Sequence, residues 1–173
     1  MEANKRTTFK SPVPVLDPPS IAIVGASERA RWPQDIRANL LAAGYKGPIY
    51  PINPRLKELW DGPCYPDLAS TPKPAAHALV IVPAPAVVET LEIGAANGLK
   101  SATVYAGNIG EGMDPTIVAR GNALRALVEK SGIVVNGPNC MGGNAMREKF
   151  FGYPNNELVK MPPGGVGCVS QSG

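Results

Sequence analysis

Two groups of residues in this chain have the types and spacing to act on a phosphorylated ligand. The first is Gly25-Ala26-Ser27-Glu28-Arg29-Ala30, which follows the apolar run Ile21-Ala22-Ile23-Val24 and precedes a stretch, 33–43, with helical spacing. A glycine here permits a tight turn and a close approach by a ligand. The first amide N–H groups of a helix lack intrahelical partners and sit at the positive end of its dipole, so a strand, turn and helix in succession make a seat for a phosphate or diphosphate. Taken alone, the same glycine serves equally well as a plain turn in an α/β protein. The second group is Asn53, Arg55 and Lys57, where the first charges after the second apolar run are cationic and Glu58 comes only afterwards. That order suits a ribose phosphate better than a free ribose diol, which an acidic residue usually holds; a solvated basic loop is the plainer alternative.

Neither group completes the dinucleotide fingerprint, because Gly25 stands alone where Gly-x-Gly-x-x-Gly is needed. A Tyr-x-x-x-Lys pair is also missing, so a plain NAD dehydrogenase is disfavoured. The single histidine, His77, precedes an apolar run and reads as a surface residue or the start of a strand rather than a catalyst. Cys140 has no neighbouring base or cation to lower its pKa and reads as a buried structural thiol. Trp32 either covers a ligand or staples the first helix.

The elements that must position these residues alternate strand and helix. Pro33 opens the first helix, Ile36 and Leu40 share a face, and Gly44 stops it. Residues 48–52 form a second strand, which Pro51 confines to an edge or shortens. Residues 55–74 read as loop with one helical turn at 67–69. A third strand at 78–82 is stopped by Pro83-Ala84-Pro85, and a helix over 86–97 carries Val88, Leu91 and Ala95 before Gly98. A fourth strand at 101–105 leads through a glycine-rich loop to a helix from Asp114-Pro115 to Ser131, with Ile117, Leu124, Leu127 and Val128 along its buried stripe; 133–136 is a fifth strand. Right-handed crossovers then give an α/β fold, a Rossmann-like open parallel sheet with helices on both faces and a ligand crevice at the carboxyl ends of the strands.

Composition bounds the function classes. The 173 residues are 44% apolar and 18% charged, with a net charge of +3 and no lysine–arginine block, so a nucleic-acid surface is not indicated. No apolar run approaches the roughly 20 residues of a membrane span, and no secretory signal precedes the first strand. The three cysteines, Cys64, Cys140 and Cys168, lack metal-ligand spacing and fit reduced thiols in a cytoplasm.

Five stretches together resemble one family: Leu16 to Ser27, Leu40 to Pro54, Val82-Pro83-Ala84-Pro85, Gly137-Pro138-Asn139-Cys140, and Val169-Ser170-Gln171-Ser172-Gly173. In this order they resemble the coenzyme A-binding domain of the NDP-forming acyl-CoA synthetases, the ADP-forming acetate–CoA ligase type, related to the succinyl-CoA synthetase alpha subunit. The resemblance implies that Gly25 and Ser27 to Ala30, Glu28 and Arg29 included, hold the phosphates of coenzyme A. It implies that Asn53 with Arg55 or Lys57 meets the nucleotide phosphates. Val82, Pro83 and Pro85, with Tyr105, Ala106 and Gly107, would border the adenosine and pantetheine, and Asn139 and Cys140 the thiol end. It further implies an arm at 1–19, the binding domain at 20–145, and a linker with the first strand of a following flavodoxin-like ligase domain at 146–173. ATP or GTP with magnesium, a phosphorylated histidine and an ATP-grasp part would belong to other domains of the same or a partner chain, so the 173 residues would bind rather than catalyse. The alternative is a stand-alone coenzyme A- or NADP-binding protein of the same fold. The sequence departs from the family where Glu28, Arg29, Ala30, Arg31 and Trp32 replace glycines of the first loop.

Overall fold

The computed structural model describes residues 10–170. A short helix α1 (Val13–Leu16) leads to β1 (Ile21–Val24), α2 (Arg31–Ala43) and β2 (Ile49–Ile52), followed by a small hairpin of β3 (Glu58–Leu59) and β4 (Gly62–Pro63). Next come β5 (His77–Val80), α3 (Ala84–Ala96), β6 (Ser101–Val104), α4 (Pro115–Ser131) and β7 (Val134–Asn136). A second hairpin, β8 (Asn144–Ala145) with β9 (Phe150–Phe151), precedes a 3-10 turn at Leu158–Lys160.

Five strands form one parallel sheet in the order β2-β1-β5-β6-β7. This is the α/β Rossmann-like sheet that the alternating pattern predicts. Beyond β2, Tyr65 makes an isolated parallel bridge to Ile52. Counted as a vestigial strand, it completes the dinucleotide-binding order, whose switch point lies between β1 and β5. β2 sits at the edge of the five-stranded sheet, where Pro51 is tolerated because a proline cannot donate to a second neighbour.

β1, β5 and β6 are buried along their whole length, so their alternate residues feed two cores. On one face Ala22, Val24, Val80 and Val104 meet Val87 and Leu91 of α3 and Leu124 and Leu127 of α4. On the other, Ile21, Ile23 and Leu79 meet Ile36 and Leu40 of α2 together with Phe150 and Phe151. α4 begins as its sequence requires, with the Asp114 carboxylate accepting from the N–H groups of Thr116 and Ile117 at 2.8 and 3.3 Å. It ends at Gly132 with φ 77°.

Several expectations are corrected. α2 starts at Arg31, so Pro33 is its third residue rather than its first. α3 starts at Ala84 because extended Pro83 is its N-cap and Pro85 lies in the first turn, where no N–H is needed. The buried residues of α3 are Val87, Leu91 and Gly94, and the expected Val88 and Ala95 pack half-buried against the same core. Residues 67–69 form no helical turn; the Asp67 carboxylate instead closes a bend by accepting from the Ser70 N–H and hydroxyl at 2.9 and 2.7 Å. The 55–74 stretch, expected as loop, contains the β3–β4 hairpin.

The 146–173 stretch, expected as linker and the first strand of a following domain, packs here as far as residue 160. Phe150 is fully buried, Asn39 of α2 donates to the carbonyls of Tyr153 and Asn155 at 3.3 and 3.1 Å, and the 3-10 turn contacts α2. Residues 161–170 are exposed and form no strand in this chain. Residues 1–9 of the expected arm, and 171–173 of the last matching stretch, lie outside the described residues. Within the rest of the arm, Val13–Leu16 form α1, which packs on β6 and β7.

His77 starts a strand but is not on the surface. It is fully buried, with the Phe150 ring edge-on at 5.4 Å. The Ser101 hydroxyl donates to the Pro14 carbonyl, so its oxygen accepts from His77 Nδ1–H at 2.8 Å, and Nε2 accepts from the Thr103 hydroxyl at 3.1 Å. Burial pulls the His77 pKa from 6.5 down to about 3. The unfolded chain therefore binds a proton between those values that the folded chain does not. Stability contributed by neutral His77 is complete above about pH 6.5 and falls as pH drops toward 3, by at most about 1.4 kcal/mol per pH unit. Urea unfolding at pH 7 and pH 4 should show this loss, and His77→Asn should flatten the slope; equal slopes for both proteins would contradict the assignment.

Candidate functional site

Because the sheet is parallel, the carboxyl ends of all five strands share one edge, and the loops that follow them meet there. The β1–α2 loop is held on both sides. The N–H groups of Gly25 and Ala26 donate to the Ile52 carbonyl at 3.0 and 3.2 Å. Gly25 has φ +87°, and a Cβ there would lie 3.0 Å from the Ile81 carbonyl carbon and closer still to its oxygen. Beyond it, Ser27 Oγ accepts from the Arg29 N–H at 3.0 Å, and the Gln34 side chain donates to the carbonyls of Glu28 and Ala30. Ala30 is the extended N-cap of α2 and offers no side-chain cap. The first-turn donors of a 13-residue helix are thus left for solvent or an anion.

Asn53 builds the opposite wall and ties it to the first. Its Nδ2 donates to the Ala26 carbonyl at 2.8 Å, its Oδ1 accepts from the Arg55 N–H at 2.9 Å, and its own N–H donates to the Tyr65 carbonyl at 2.9 Å. Between the two loops lies an open cleft of about 450 Å³, lined by Ser27, Glu28, Arg29, Asn53, Arg55, Leu56, Glu58 and Leu59. Arg31 is engaged with Asp35 at 3.1 Å, whereas Arg29 and Arg55 form no ion pair among the described residues. Two uncommitted guanidinium groups beside uncapped helix donors can bind phosphate. Asn53→Ala removes the strut between the loops and should cost about 1–2 kcal/mol, measured by urea unfolding, because the part-buried Ala26 carbonyl loses its donor; an unchanged unfolding midpoint would deny Asn53 that role.

The structure therefore gathers Ser27, Glu28, Arg29, Asn53 and Arg55 around one cleft, with Gly25 and Ala30 framing it. Lys57 is not among the lining residues; its carbonyl accepts from the N–H of Cys64, just past β4, at 2.9 Å. Val82 packs against Gly25, and Pro83 and Pro85 open α3.

The remaining expected residues form a second group at the ends of β6 and β7. Tyr105 is buried, its hydroxyl donates to the Gly152 carbonyl, and burial pushes its pKa up, so its phenol proton is already committed. Trp32 packs edge-on against Tyr105 at 5.9 Å, stapling the first turn of α2 to the end of β6. The Asn139 N–H donates to the Ala106 carbonyl at 2.9 Å, and the Asn139 side chain lies against Gly107. The Cys140 thiol donates to the Val104 carbonyl at 3.4 Å, and burial raises its pKa, as befits a structural thiol.

Sequence reasoning missed Leu56, Glu58 and Leu59 as part of the cleft. Their hairpin was hidden because its turn, Trp60-Asp61, has φ 57° and 62° without the usual glycine at either position. The Arg37 guanidinium stacks over the Trp60 ring at 5.1 Å and holds that turn to α2.

Comparison with known proteins identifies the family of the fold. The chain is 30% identical to a trans-feruloyl-CoA synthase from an unknown prokaryotic organism, over 92% of this chain and 23% of the relative. It is 29% identical to an ADP-forming acetate–CoA ligase II from Archaeoglobus fulgidus, over 90% of this chain and 23% of that one. Among solved structures, it superimposes on a dinucleotide-forming acetyl-coenzyme A synthetase 1 from Ca. Korarchaeum cryptofilum with a TM-score of 0.68 at 26% identity, covering 84% of this chain and 31% of that one. The chain thus spans about a quarter of the length of these curated relatives. The family described as CoA binding domain matches residues 19–145, strands β1 to β7 included, and the chain belongs to that family.

Proposed function

We propose that this chain is the coenzyme A-binding domain of an NDP-forming acyl-CoA synthetase, which joins a carboxylic acid to coenzyme A using ATP or GTP. The observation that carries this reading is the cleft itself, where the uncapped start of α2, the Ser27 turn and two unpaired arginines converge. In this reading main-chain donors at 27–32 and Arg29 hold the diphosphate, and Arg55 meets the ribose phosphate. The pantetheine arm passes Val82 and Pro83 toward Ala106, Gly107, Asn139 and Cys140. Coenzyme A supplies the thiol that takes up the acyl group. Cys140, neutral and hydrogen-bonded, stays a bystander that shapes the far end of the site.

His77 carries no phosphoryl group, because both its ring nitrogens are occupied inside the core. Nucleoside triphosphate, magnesium and the phosphorylated histidine belong to further domains of the same or a partner chain. Three free cysteines fit a cytoplasmic setting, and no described helix is long and apolar enough to cross a membrane. Calorimetric titration of the full chain tests the reading: saturable binding of coenzyme A, tighter than that of NADPH, supports it. No binding at millimolar coenzyme A would remove it.

A further inference from the structure

We infer that Glu58 is a specificity-determining residue, whose carboxylate limits the negative charge the cleft accepts and so narrows its preference among ligands that share an adenosine diphosphate. The inference rests on the coenzyme A reading above. Glu28 and Glu58 line the same cleft as Arg29 and Arg55, so the formal charges of its lining cancel. Neither carboxylate is neutralised by an ion pair among the described residues.

The two acids differ in how firmly they are held. Glu28 rides an exposed loop. Glu58 lines the cleft from β3, exposed, and its neighbour Leu59, 5% exposed, anchors that strand in the core. The hairpin is closed by its pairing with β4 and by Arg37 over Trp60, so the strand bearing Glu58 cannot easily draw back from an anion.

A diphosphate with a ribose phosphate carries about four negative charges near neutral pH, and the dephospho form about two. Through-space repulsion grows with ligand charge, so Glu58 penalises coenzyme A more than dephospho-coenzyme A and offsets part of the discrimination that Arg55 provides. Removing the carboxylate should tighten both ligands and widen the gap between them.

The experiment is calorimetric titration of the full chain and of Glu58→Gln with coenzyme A and dephospho-coenzyme A, at about 50 mM and 500 mM salt. Glu58 is exposed and unpaired, so the variant should melt with the parent. At low salt, Glu58→Gln should bind coenzyme A about 3- to 10-fold tighter and the dephospho form about 2-fold tighter, with both gains shrinking at high salt as screening shortens the range of the repulsion. Glu28→Gln should act in the same direction but more weakly. Unchanged or weaker binding by Glu58→Gln, or equal gains for the two ligands, would overturn the inference while leaving the coenzyme A reading in place. A parent chain that binds neither ligand would overturn both.

Discussion

Gly25→Ala is expected to destabilise the fold by about 3 kcal/mol or more and to abolish ligand binding at the cleft. Two costs combine at this position. An alanine held at φ +87° sits in a region that L-residues avoid, at about 1–2 kcal/mol. Its Cβ would also press on the main-chain carbonyl of Ile81, and β5, buried in the centre of the sheet, cannot shift to make room. For a chain of this size the melting temperature should fall by roughly 6–12 °C. Any part of the fold that survives would carry a displaced first loop, with its donors no longer converging. A variant that melts with the parent would show that the tight wedge between β1 and β5 is not what sets the turn.

Arg55→Ala is expected to weaken coenzyme A binding by about 10- to 100-fold, equivalent to roughly 1.4–2.8 kcal/mol, while leaving the melting temperature unchanged. The guanidinium lines the cleft, is exposed and forms no ion pair among the described residues, so the folded chain loses nothing with it. The loss should be small for dephospho-coenzyme A, because Arg55 is assigned to the ribose phosphate. Lys57→Ala should change neither affinity by more than about 2-fold, since Lys57 is not part of the cleft lining. Equal losses for the two ligands on removing Arg55, or a Lys57 effect as large as that of Arg55, would reassign the ribose phosphate.

The contrast between Arg55 and Lys57 shows what was legible in the sequence and what was not. Ile21–Val24 and the run at 78–82 declare themselves because strands covered on both faces must be continuously apolar. Asp114-Pro115 declares a helix start through its own chemistry. With those elements placed, the alternating order implies the sheet, the shared carboxyl edge and the loops that border it. The hairpin that decides which of Arg55, Lys57 and Glu58 lines the cleft has strands of two residues each, too short to carry a periodic pattern. Its turn is stabilised from α2 by Arg37, a partner 23 residues away that no local reading can supply. His77 starts a strand, as expected, but its burial was hidden for the same reason. Ser101 and Thr103 lie on β6, and Phe150 arrives from the second hairpin, so its burial is a property of the assembled sheet and not of its neighbours in the chain. The start of α3 turned on whether Pro83 ends a strand or caps a helix, and it does the second.

The central claim is that the start of α2 and the Ser27–Ala30 loop grip the diphosphate of coenzyme A in the cleft closed by Asn53 and Arg55. A crystal structure of the chain with coenzyme A tests it most directly. The account predicts diphosphate density within hydrogen-bonding distance of main-chain N–H groups at 27–32, with the ribose phosphate against Arg55. Density for the ligand at any other edge of the sheet, with this cleft filled only by solvent, would contradict it.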